Sequence, residues 1–279
     1  MRSMKPDRDI SVSTIRIPTA NGSIPALVLS LKTGAKNAAG ILWIHGGGYI
    51  AGMKEMVHMS RAVDLVKRFG AVVISPGYRL AIQQPFPAAA EDCYSALVYL
   101  KDHARELGIR RDQIMVGGES AGGGLCAAVC LMARDRKSVN IAFQMPLYPM
   151  LDDRDTESSR NNHGKVWNTW KNHLAWKLYL RGIPKTQVPS YAAPARAKDF
   201  SGLPPAYTFV GEGEPFYMET LRYVENLKHA GISADVDVYH TDIHAFDMMR
   251  PELEISGIAA EKFNQAFAYA KEHYFAENL

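Results

Sequence analysis

The chain contains a serine flanked by small residues in a pentapeptide of the form G-x-S-x-G, residues 118–122. An apolar run typical of a buried strand, residues 114–116, comes before it, and residues 122–134 have the apolar spacing of a helix after it. A sharp turn between a strand and a helix lifts a serine hydroxyl above the sheet, at the positive end of the helix. This context predicts that Ser120 is a nucleophile for acyl transfer.

A serine hydroxyl is a weak nucleophile unless a base takes its proton. In this strand-turn-helix architecture the base is a histidine that follows the last strand. His229, His240, His244 and His273 lie late enough in the chain. We predict His244 as the base, because it lies in the loop beyond the last strand, and the other three as surface or packing residues. His45, much earlier, is predicted to support a neighbouring glycine loop.

The base needs an acid to orient it, and the loop after the predicted strand 207–210 offers Glu212 and Glu214. Glu214 is favoured, because it lies deeper in the loop and a proline follows it. Glu212 follows the strand so closely that it is explained simply as a solvated side chain. Asp242 and Asp247 flank His244, and each is predicted to form a turn or to cap a helix.

An oxyanion that forms on the substrate needs hydrogen-bond donors, and a glycine run can supply them. Residues 45–48 read His-Gly-Gly-Gly directly after a predicted strand, residues 41–44. Three glycines leave consecutive backbone N–H groups open to a bound carbonyl oxygen, and the N–H of Ala121, next to the serine, adds another. Loss of one such donor typically lowers the rate by about 10²–10³-fold.

The serine, the base, the acid and the oxyanion donors can meet only if the loops that carry them lie at one edge of a sheet. The carboxyl ends of parallel strands lie together at such an edge. Strand-like and helical runs alternate along the later part of the chain, after a hairpin with its turn at Asn21-Gly22, so we expect a mostly parallel sheet with an antiparallel start. Predicted strands are 13–17, 24–31, 40–44, 71–75, 114–116, 141–145, 207–210 and 236–239, and predicted helices are 57–69, 88–107, 122–134, 219–230 and 259–275. Residues 152–201, polar and rich in tryptophan, are predicted to be a lid inserted into this pattern, with a helix near 167–180.

Length and composition favour one large α/β domain over residues 1–279. The net charge is +3 and the cations are scattered, so we expect no nucleic-acid partner. We expect no membrane span, and the first residues lack the apolar core of a signal peptide. Together with three cysteines, an odd number, this predicts a cytoplasmic protein. No ligand cluster has zinc spacing, so neither a metal nor a cofactor is expected.

Taken together, these motifs resemble the hormone-sensitive-lipase family of α/β-hydrolases, in the bacterial acetyl-esterase and carboxylesterase branch. The resemblance covers nearly the whole chain from about residue 11 and rests on the segments 45–48, 78–88, 118–125, 203–215 and 244–246. It implies an α/β-hydrolase fold, with a mostly parallel eight-stranded sheet flanked by helices. It also implies that Gly47 and Gly48 are the oxyanion donors beside Ala121, and it is compatible with homodimers through the last strand.

The chain departs from the family pattern in three places. The family acid is usually Asp, and Glu214 stands in its place here. Residues 82–84 read Ile-Gln-Gln where the family usually has Pro-Glu, so a supporting ion pair is expected to be missing. About ten residues precede the first hairpin, where the family usually has cap helices. We therefore expect a reduced cap, formed largely by residues 152–201.

The resemblance implies a serine carboxylesterase, with a small-molecule ester as its partner, and the reduced cap predicts an accessible site for short- to medium-chain acyl esters. An amidase, peptidase or deacetylase on the same scaffold, and a non-catalytic receptor with this fold, are the alternatives. The predicted substrate-binding residues are Tyr49, Met53, Trp167, Phe216 and Met248, with Met56 and Trp170 as further candidates.

Overall fold

A computed structural model describes residue 1 and residues 3–278, and within them eight strands form one sheet. The strands are β1 (Ile10–Thr19), β2 (Gly22–Leu31), β3 (Ala38–Ile44), β4 (Val72–Pro76), β5 (Ile109–Glu119), β6 (Phe143–Leu147), β7 (Ala206–Gly211) and β8 (Ala234–Tyr239). Their order across the sheet is β1-β2-β4-β3-β5-β6-β7-β8. The predicted fold, an α/β-hydrolase sheet of eight mostly parallel strands, is confirmed.

The antiparallel part of the sheet is the predicted hairpin and its neighbour. β1 pairs with β2 in a register that sets Ile17 opposite Ile24 and Thr19 opposite Gly22, and β2 pairs antiparallel with β4. All later pairings are parallel. The carboxyl ends of β3, β5, β7 and β8 therefore lie at one edge, and the loops that follow these strands carry the predicted chemistry.

Seven α-helices accompany the sheet in the described residues. They are α1 (Ala62–Phe69), α2 (Ala88–Asp102), α3 (Ala121–Arg136), α4 (Thr169–Tyr179), α5 (Tyr217–His229), α6 (Phe246–Met249) and α7 (Glu254–His273). Side chains of α2, α3, α4 and α5 pack in the core on one face of the sheet, and those of α1 and α7 pack in the core on the other. This is the three-layer arrangement that a buried, mostly parallel sheet requires.

Two helices are shorter by five residues than predicted. The helix predicted over 57–69 begins only at Ala62, because residues 54–59 form a 3₁₀ helix that ends at Ser60. The Ser60 hydroxyl accepts a hydrogen bond from the N–H of Ala62, which starts the new helix. The helix predicted over 88–107 ends at Asp102, because the chain turns through Gly108, with φ at +71°, into β5.

The connection between β6 and β7 is long and contains α4 within residues 152–201. The inner side of α4 is fixed by aromatic packing, since Trp176 and Tyr179 both contact Tyr49 and the Tyr49 and Tyr179 rings stack 4.0 Å apart. This anchoring holds the connection above the carboxyl edge of the sheet. No helix in the described part of the chain is long and apolar enough to cross a bilayer.

Candidate active site

Ser120 lies at the turn between β5 and α3, in a backbone conformation that few residues other than glycine adopt (φ 58°, ψ −120°). The neighbouring strand approaches this turn closely. A Cβ atom at Gly122 would lie 2.0 Å from the carbonyl oxygen of Ile44, and one at Gly118 would lie 2.5 Å from the same oxygen. Both glycines of the pentapeptide are therefore required, because β3 leaves no room for a side chain at either position.

The structure brings Ser120, His244 and Glu214 into one hydrogen-bonded chain. The Oγ of Ser120 is 2.9 Å from Nε2 of His244, and Nδ1 of His244 is hydrogen-bonded to Oε2 of Glu214. All three residues are at least 93% buried. This geometry is that of a hydroxyl, a base and an orienting acid, and it can activate the hydroxyl for attack on a carbonyl carbon.

Two aromatic rings hold the imidazole of His244 in place. Tyr148 and Phe216 both meet it edge-on, with ring centroids 5.2 Å and 5.0 Å away. These contacts leave the ring little freedom to rotate away from the serine. The burial that they help to create also raises the pKa of Glu214 above its ordinary value, and the adjacent imidazole of His244 acts in the opposite direction.

The other candidate bases and acids lie elsewhere. His240 is hydrogen-bonded to Glu212 in a pair whose side chains are 95% and 46% exposed. His229 ends α5, and His273 ends α7. His45 is buried, stacks on Tyr78 at 4.2 Å, and has its pKa lowered by burial to about 4. A neutral His45 beside the glycine run fits a supporting role and not that of a base.

The glycine run lies beside the serine. Gly46, Gly47 and Gly48 line the same cavity as Ser120. Within the described residues, the backbone N–H groups of Gly47, Gly48 and Ala121 have no hydrogen-bond acceptor. Unused donors at the mouth of a buried site are what an oxyanion hole requires.

Comparisons with known proteins agree with this geometry. A family model described as the alpha/beta hydrolase fold matches residues 41–248. Esterase LipI of Mycobacterium tuberculosis is 33% identical over 208 residues, which are 74% of this chain and 65% of LipI. Carboxylic ester hydrolase LipN of the same organism is 30% identical over 275 residues, which are 96% of this chain and 72% of LipN. The chain thus spans about two thirds of the length of such relatives.

Solved structures give the same result. A bacterial heroin esterase is 33% identical, with a TM-score of 0.89 over 96% of this chain and 86% of its own. An esterase of Pyrobaculum calidifontis is 34% identical, with a TM-score of 0.83 over 91% of this chain and 83% of its own. The chain belongs to the hormone-sensitive-lipase branch of the α/β-hydrolase family. The predicted resemblance is confirmed.

The cavity in front of Ser120 in this α/β-hydrolase has a volume of about 360 Å³ and an almost wholly apolar wall. Of the predicted substrate-binding residues, Met53, Trp167 and Met248 line it, and so does Met56. Trp167 reaches over the glycine run, since a Cβ atom at Gly48 would lie 2.2 Å from its ring. The remaining apolar wall residues are Met1, Met4, Met59, Val166, Ala245 and Met249.

Two predicted pocket residues do not reach the cavity wall of this α/β-hydrolase. Tyr49 is 1% exposed, stacks on Tyr179 and donates its hydroxyl hydrogen to the carbonyl of Met150. Phe216 is fully buried behind His244. Both side chains support the residues that form the site. Trp170, a further candidate, is 70% exposed on α4 and does not line the cavity.

An ion pair is present in the segment that follows β4. The guanidinium of Arg79 donates to both carboxylate oxygens of Asp92, whose side chain is fully buried, and to the side-chain carbonyl of Gln84. Asp92 lies in the second turn of α2. The loop that follows β4 is thereby tied to the helix behind it.

Sequence reasoning missed a buried polar network behind the serine. Asp247, predicted to form a turn or cap, is paired with Arg61 at 3.1 Å and accepts a hydrogen bond from Tyr148 at 2.9 Å. Glu119, next to the serine, lies on the same side of the sheet and accepts a hydrogen bond from the indole N–H of Trp43 at 2.8 Å. Burial raises the pKa of Glu119 to about 8, and the charge of Asp247 acts in the same direction.

This pKa predicts that stability depends on pH through Glu119. The Glu119 carboxyl binds its proton more tightly in the folded chain than in the unfolded chain, where its pKa has the ordinary value of 4.5. Its contribution to the free energy of unfolding is therefore complete below about pH 4.5 and falls as pH rises to about 8, by at most about 1.4 kcal/mol per pH unit. Glu119→Gln keeps an acceptor for Trp43 but cannot ionise, so its advantage over the wild type should grow between about pH 5 and pH 8.

Urea unfolding of both proteins across this pH range measures the difference. Glu212→Gln is the matched control, because Glu212 is 46% exposed and its neutralisation should leave no comparable trend. A constant difference between Glu119→Gln and the wild type over the whole range would show that Glu119 does not change its ionisation there.

Proposed function

We propose that this chain is a serine carboxylesterase that cleaves short- to medium-chain acyl esters through an acyl-enzyme. The observation that carries the proposal is the 2.9 Å contact between Ser120 and His244 at the floor of an apolar cavity. The esterase names of the relatives support it, and so does the hydrogen bond that Nδ1 of His244 donates to Glu214.

In the first step, Nε2 of His244 takes the proton of Ser120 while Oγ attacks the ester carbonyl carbon. The carbonyl oxygen becomes an oxyanion, and the N–H groups of Gly47, Gly48 and Ala121 stabilise it. Glu214 holds the proton on Nδ1 and stabilises the imidazolium. The imidazolium then gives its proton to the leaving alcohol as the carbon-oxygen bond breaks.

In the second step, a water molecule takes the place of the alcohol. His244 removes a proton from this water as its oxygen attacks the acyl carbon, and the same donors stabilise the second oxyanion. Collapse of the intermediate breaks the bond to Oγ, returns the proton to Ser120 and releases the carboxylic acid. The buried, largely apolar surroundings strengthen each charge interaction along this path.

The substrate class follows from the cavity. A volume of about 360 Å³ is near the lower end for small-molecule sites, which span roughly 300–1,000 Å³. Seven of the wall residues are methionines, which are flexible and fill irregular shapes. The wall offers an ester chain apolar contact on several sides, with Trp167 above the glycine run, and polar groups are confined to the reacting centre.

The acyl-chain preference is therefore predicted to peak at short to medium lengths. A series of p-nitrophenyl esters from acetate upward should show kcat/KM rising while each added methylene is buried, by about 0.8 kcal/mol each. It should fall once the chain exceeds the cavity. Initial rates below the solubility limit of each ester measure this profile.

The same panel tests the reaction class. Amides matched to the best ester should be turned over far more slowly, because an amine leaves less readily than an alcohol. A profile peaking beyond about twelve carbons would contradict the cavity argument, since so long a chain exceeds a site of this size. Amide turnover equal to that of the ester would favour an amidase.

The proposal also covers the domain organisation, the cellular location and the oligomeric state. We propose residues 1–279 as one domain, with residues 152–201 as a cap over the cavity, because Val166 and Trp167 lie on its wall. We also propose a cytoplasmic location, supported by free, buried Cys93, Cys126 and Cys130. A homodimer through β8 is supported by its position at the sheet edge.

A further inference from the structure

Positive charge is concentrated in one part of the chain. Residues 158–198 contain eight Lys or Arg side chains and no Asp or Glu, although the net charge of the whole chain is only +3. The rest of the chain is therefore net acidic. The eight cations are Arg160, Lys165, Lys171, Lys177, Arg181, Lys185, Arg196 and Lys198. This acid-free segment includes α4 and lies beside the candidate active site.

Helix α4 exposes apolar side chains on its outer face, where they do not contribute to the packing of the helix. Asn172, Ala175, Trp176 and Tyr179 are buried on the inner face. Trp170 is 70% exposed and Leu174 is 36% exposed, one turn apart on the opposite side. A tryptophan and a leucine projecting into solvent at this spacing form an apolar stripe.

Cations flank this stripe. Lys177 lies three residues after Leu174 in the helix, Arg181 lies two residues past its last residue, and both are exposed. Helical spacing places Trp170, Leu174 and Lys177 on one side, and Arg181 follows just beyond the C-terminus of α4. We define this outer face of α4 as Trp170, Leu174, Lys177 and Arg181.

Carboxylates from outside the segment neutralise only part of its charge. Asp153 pairs with Arg196 at 2.6 Å, and Asp155 contacts His173 at 2.7 Å. Lys171 is directed to the carbonyl oxygens of Lys165 and Val166. The surface around α4 thus retains a positive balance beside its apolar stripe.

We propose that the outer face of α4, within the acid-free segment 158–198, docks this protein onto an anionic lipid surface. A tryptophan and a leucine inserted at headgroup depth, with Lys and Arg beside them, are the combination that binds helices to the plane of an anionic bilayer. Trp167, on the cavity wall, comes only three residues before Trp170. Docking on this face would therefore hold the cavity that Trp167 borders close to the lipid, where apolar esters accumulate.

The positive charge and the apolar stripe of α4 together favour an anionic bilayer over other partners. A nucleic acid would be attracted by the cations alone, and a neutral apolar partner by Trp170 and Leu174 alone. An anionic bilayer uses both features, because it presents a negative surface above an apolar interior. The proposal extends beyond ester hydrolysis, and its test measures binding directly.

Sedimentation of the full chain with vesicles tests the proposal. We expect binding to vesicles of phosphatidylcholine mixed with phosphatidylglycerol, and little binding to phosphatidylcholine alone. Binding should weaken strongly in about 1 M NaCl, where the Debye length is about 3 Å. The double variant Lys177→Glu/Arg181→Glu should lower the partition coefficient by at least about tenfold, since each cation near such a surface contributes about fivefold. Trp170→Ser should also lower it.

Matched controls separate docking from general charge. Lys32→Glu/Lys262→Glu makes the same change in net charge on exposed residues of other elements and should bind like the wild type. Turnover of a soluble ester should be unchanged in Lys177→Glu/Arg181→Glu, which shows that the variant is folded. A blue shift of tryptophan fluorescence with anionic vesicles should be lost in Trp170→Phe.

Three results would overturn the proposal. Equal binding to neutral and anionic vesicles would remove the role of charge, and equal loss in both double variants would remove the role of α4. Binding to heparin or duplex DNA without binding to anionic vesicles would assign the segment to a polyanion. Each result can be obtained whether or not the protein hydrolyses esters.

Discussion

Replacement of Ser120 by alanine is expected to lower kcat by about six orders of magnitude, to a level set by the oxyanion donors and binding alone. The hydroxyl is the only group in the described residues that hydrogen-bonds to Nε2 of His244. Without it, no covalent acyl intermediate can form. Turnover of the best p-nitrophenyl ester, with purified protein and long incubation, measures the loss.

A matched serine elsewhere controls for folding. Ser95 lies on α2, where its hydroxyl donates to the carbonyl of Glu91, and Ser95→Ala should keep nearly full activity. Ser120→Ala should also fail to react with a fluorophosphonate probe that labels the wild type, while its thermal unfolding midpoint stays close to that of the wild type. Ester turnover or labelling retained by the folded Ser120→Ala protein would refute this nucleophile and the acyl-enzyme mechanism with it.

The sequence could predict most of the fold, and that the proposed reacting groups lie together, because both follow from local order along the chain. Ser120 and the glycine run come directly after β5 and β3, so parallel strands alone bring them to one edge. His244 and Glu214 follow β8 and β7 at the same edge. Topology therefore gives their approximate meeting point, and the structure adds the distances and the burial.

The cavity wall could not be predicted in the same way, because it depends on which side chains fill the space between elements. Tyr49 follows the glycine run as closely as a pocket residue would, but α4 covers it and its hydroxyl finds the carbonyl of Met150. Met59 and Met249 were not predicted, although both lie on the wall. The high methionine count, 12 in the chain, was the available signal.

The network behind the serine was missed for a related reason. Asp247 is predicted locally to form a turn or to cap a helix, and only the fold brings Arg61, far from it along the chain, into contact with it. Glu119 reads as a variable position of the pentapeptide, and its raised pKa arises from burial that no local pattern encodes. Charges that meet across the sheet are set by tertiary packing.

The second large effect is expected at Glu214. Glu214→Gln should lower kcat by about 10⁴-fold, because an amide cannot hold the proton on Nδ1 of His244 while Nε2 accepts the serine proton, and cannot stabilise the imidazolium. The substitution is nearly isosteric, so the fold should be retained. Pre-steady-state and steady-state rates on one ester measure the change in kcat apart from KM.

The chain supplies its own control, because Glu212 and His240 form a similar carboxylate-imidazole pair two and four residues away. That pair is exposed, whereas Glu214 is 1% exposed and His244 is 4% exposed. Glu212→Gln should therefore change kcat by less than about twofold, since solvent screens an exposed pair. Glu214→Asp should retain more activity than Glu214→Gln, because a carboxylate, even one methylene short, can still orient the ring. Equal losses in Glu212→Gln and Glu214→Gln would mean that the acid has been assigned to the wrong side chain, and that Glu214 is not the residue that orients His244.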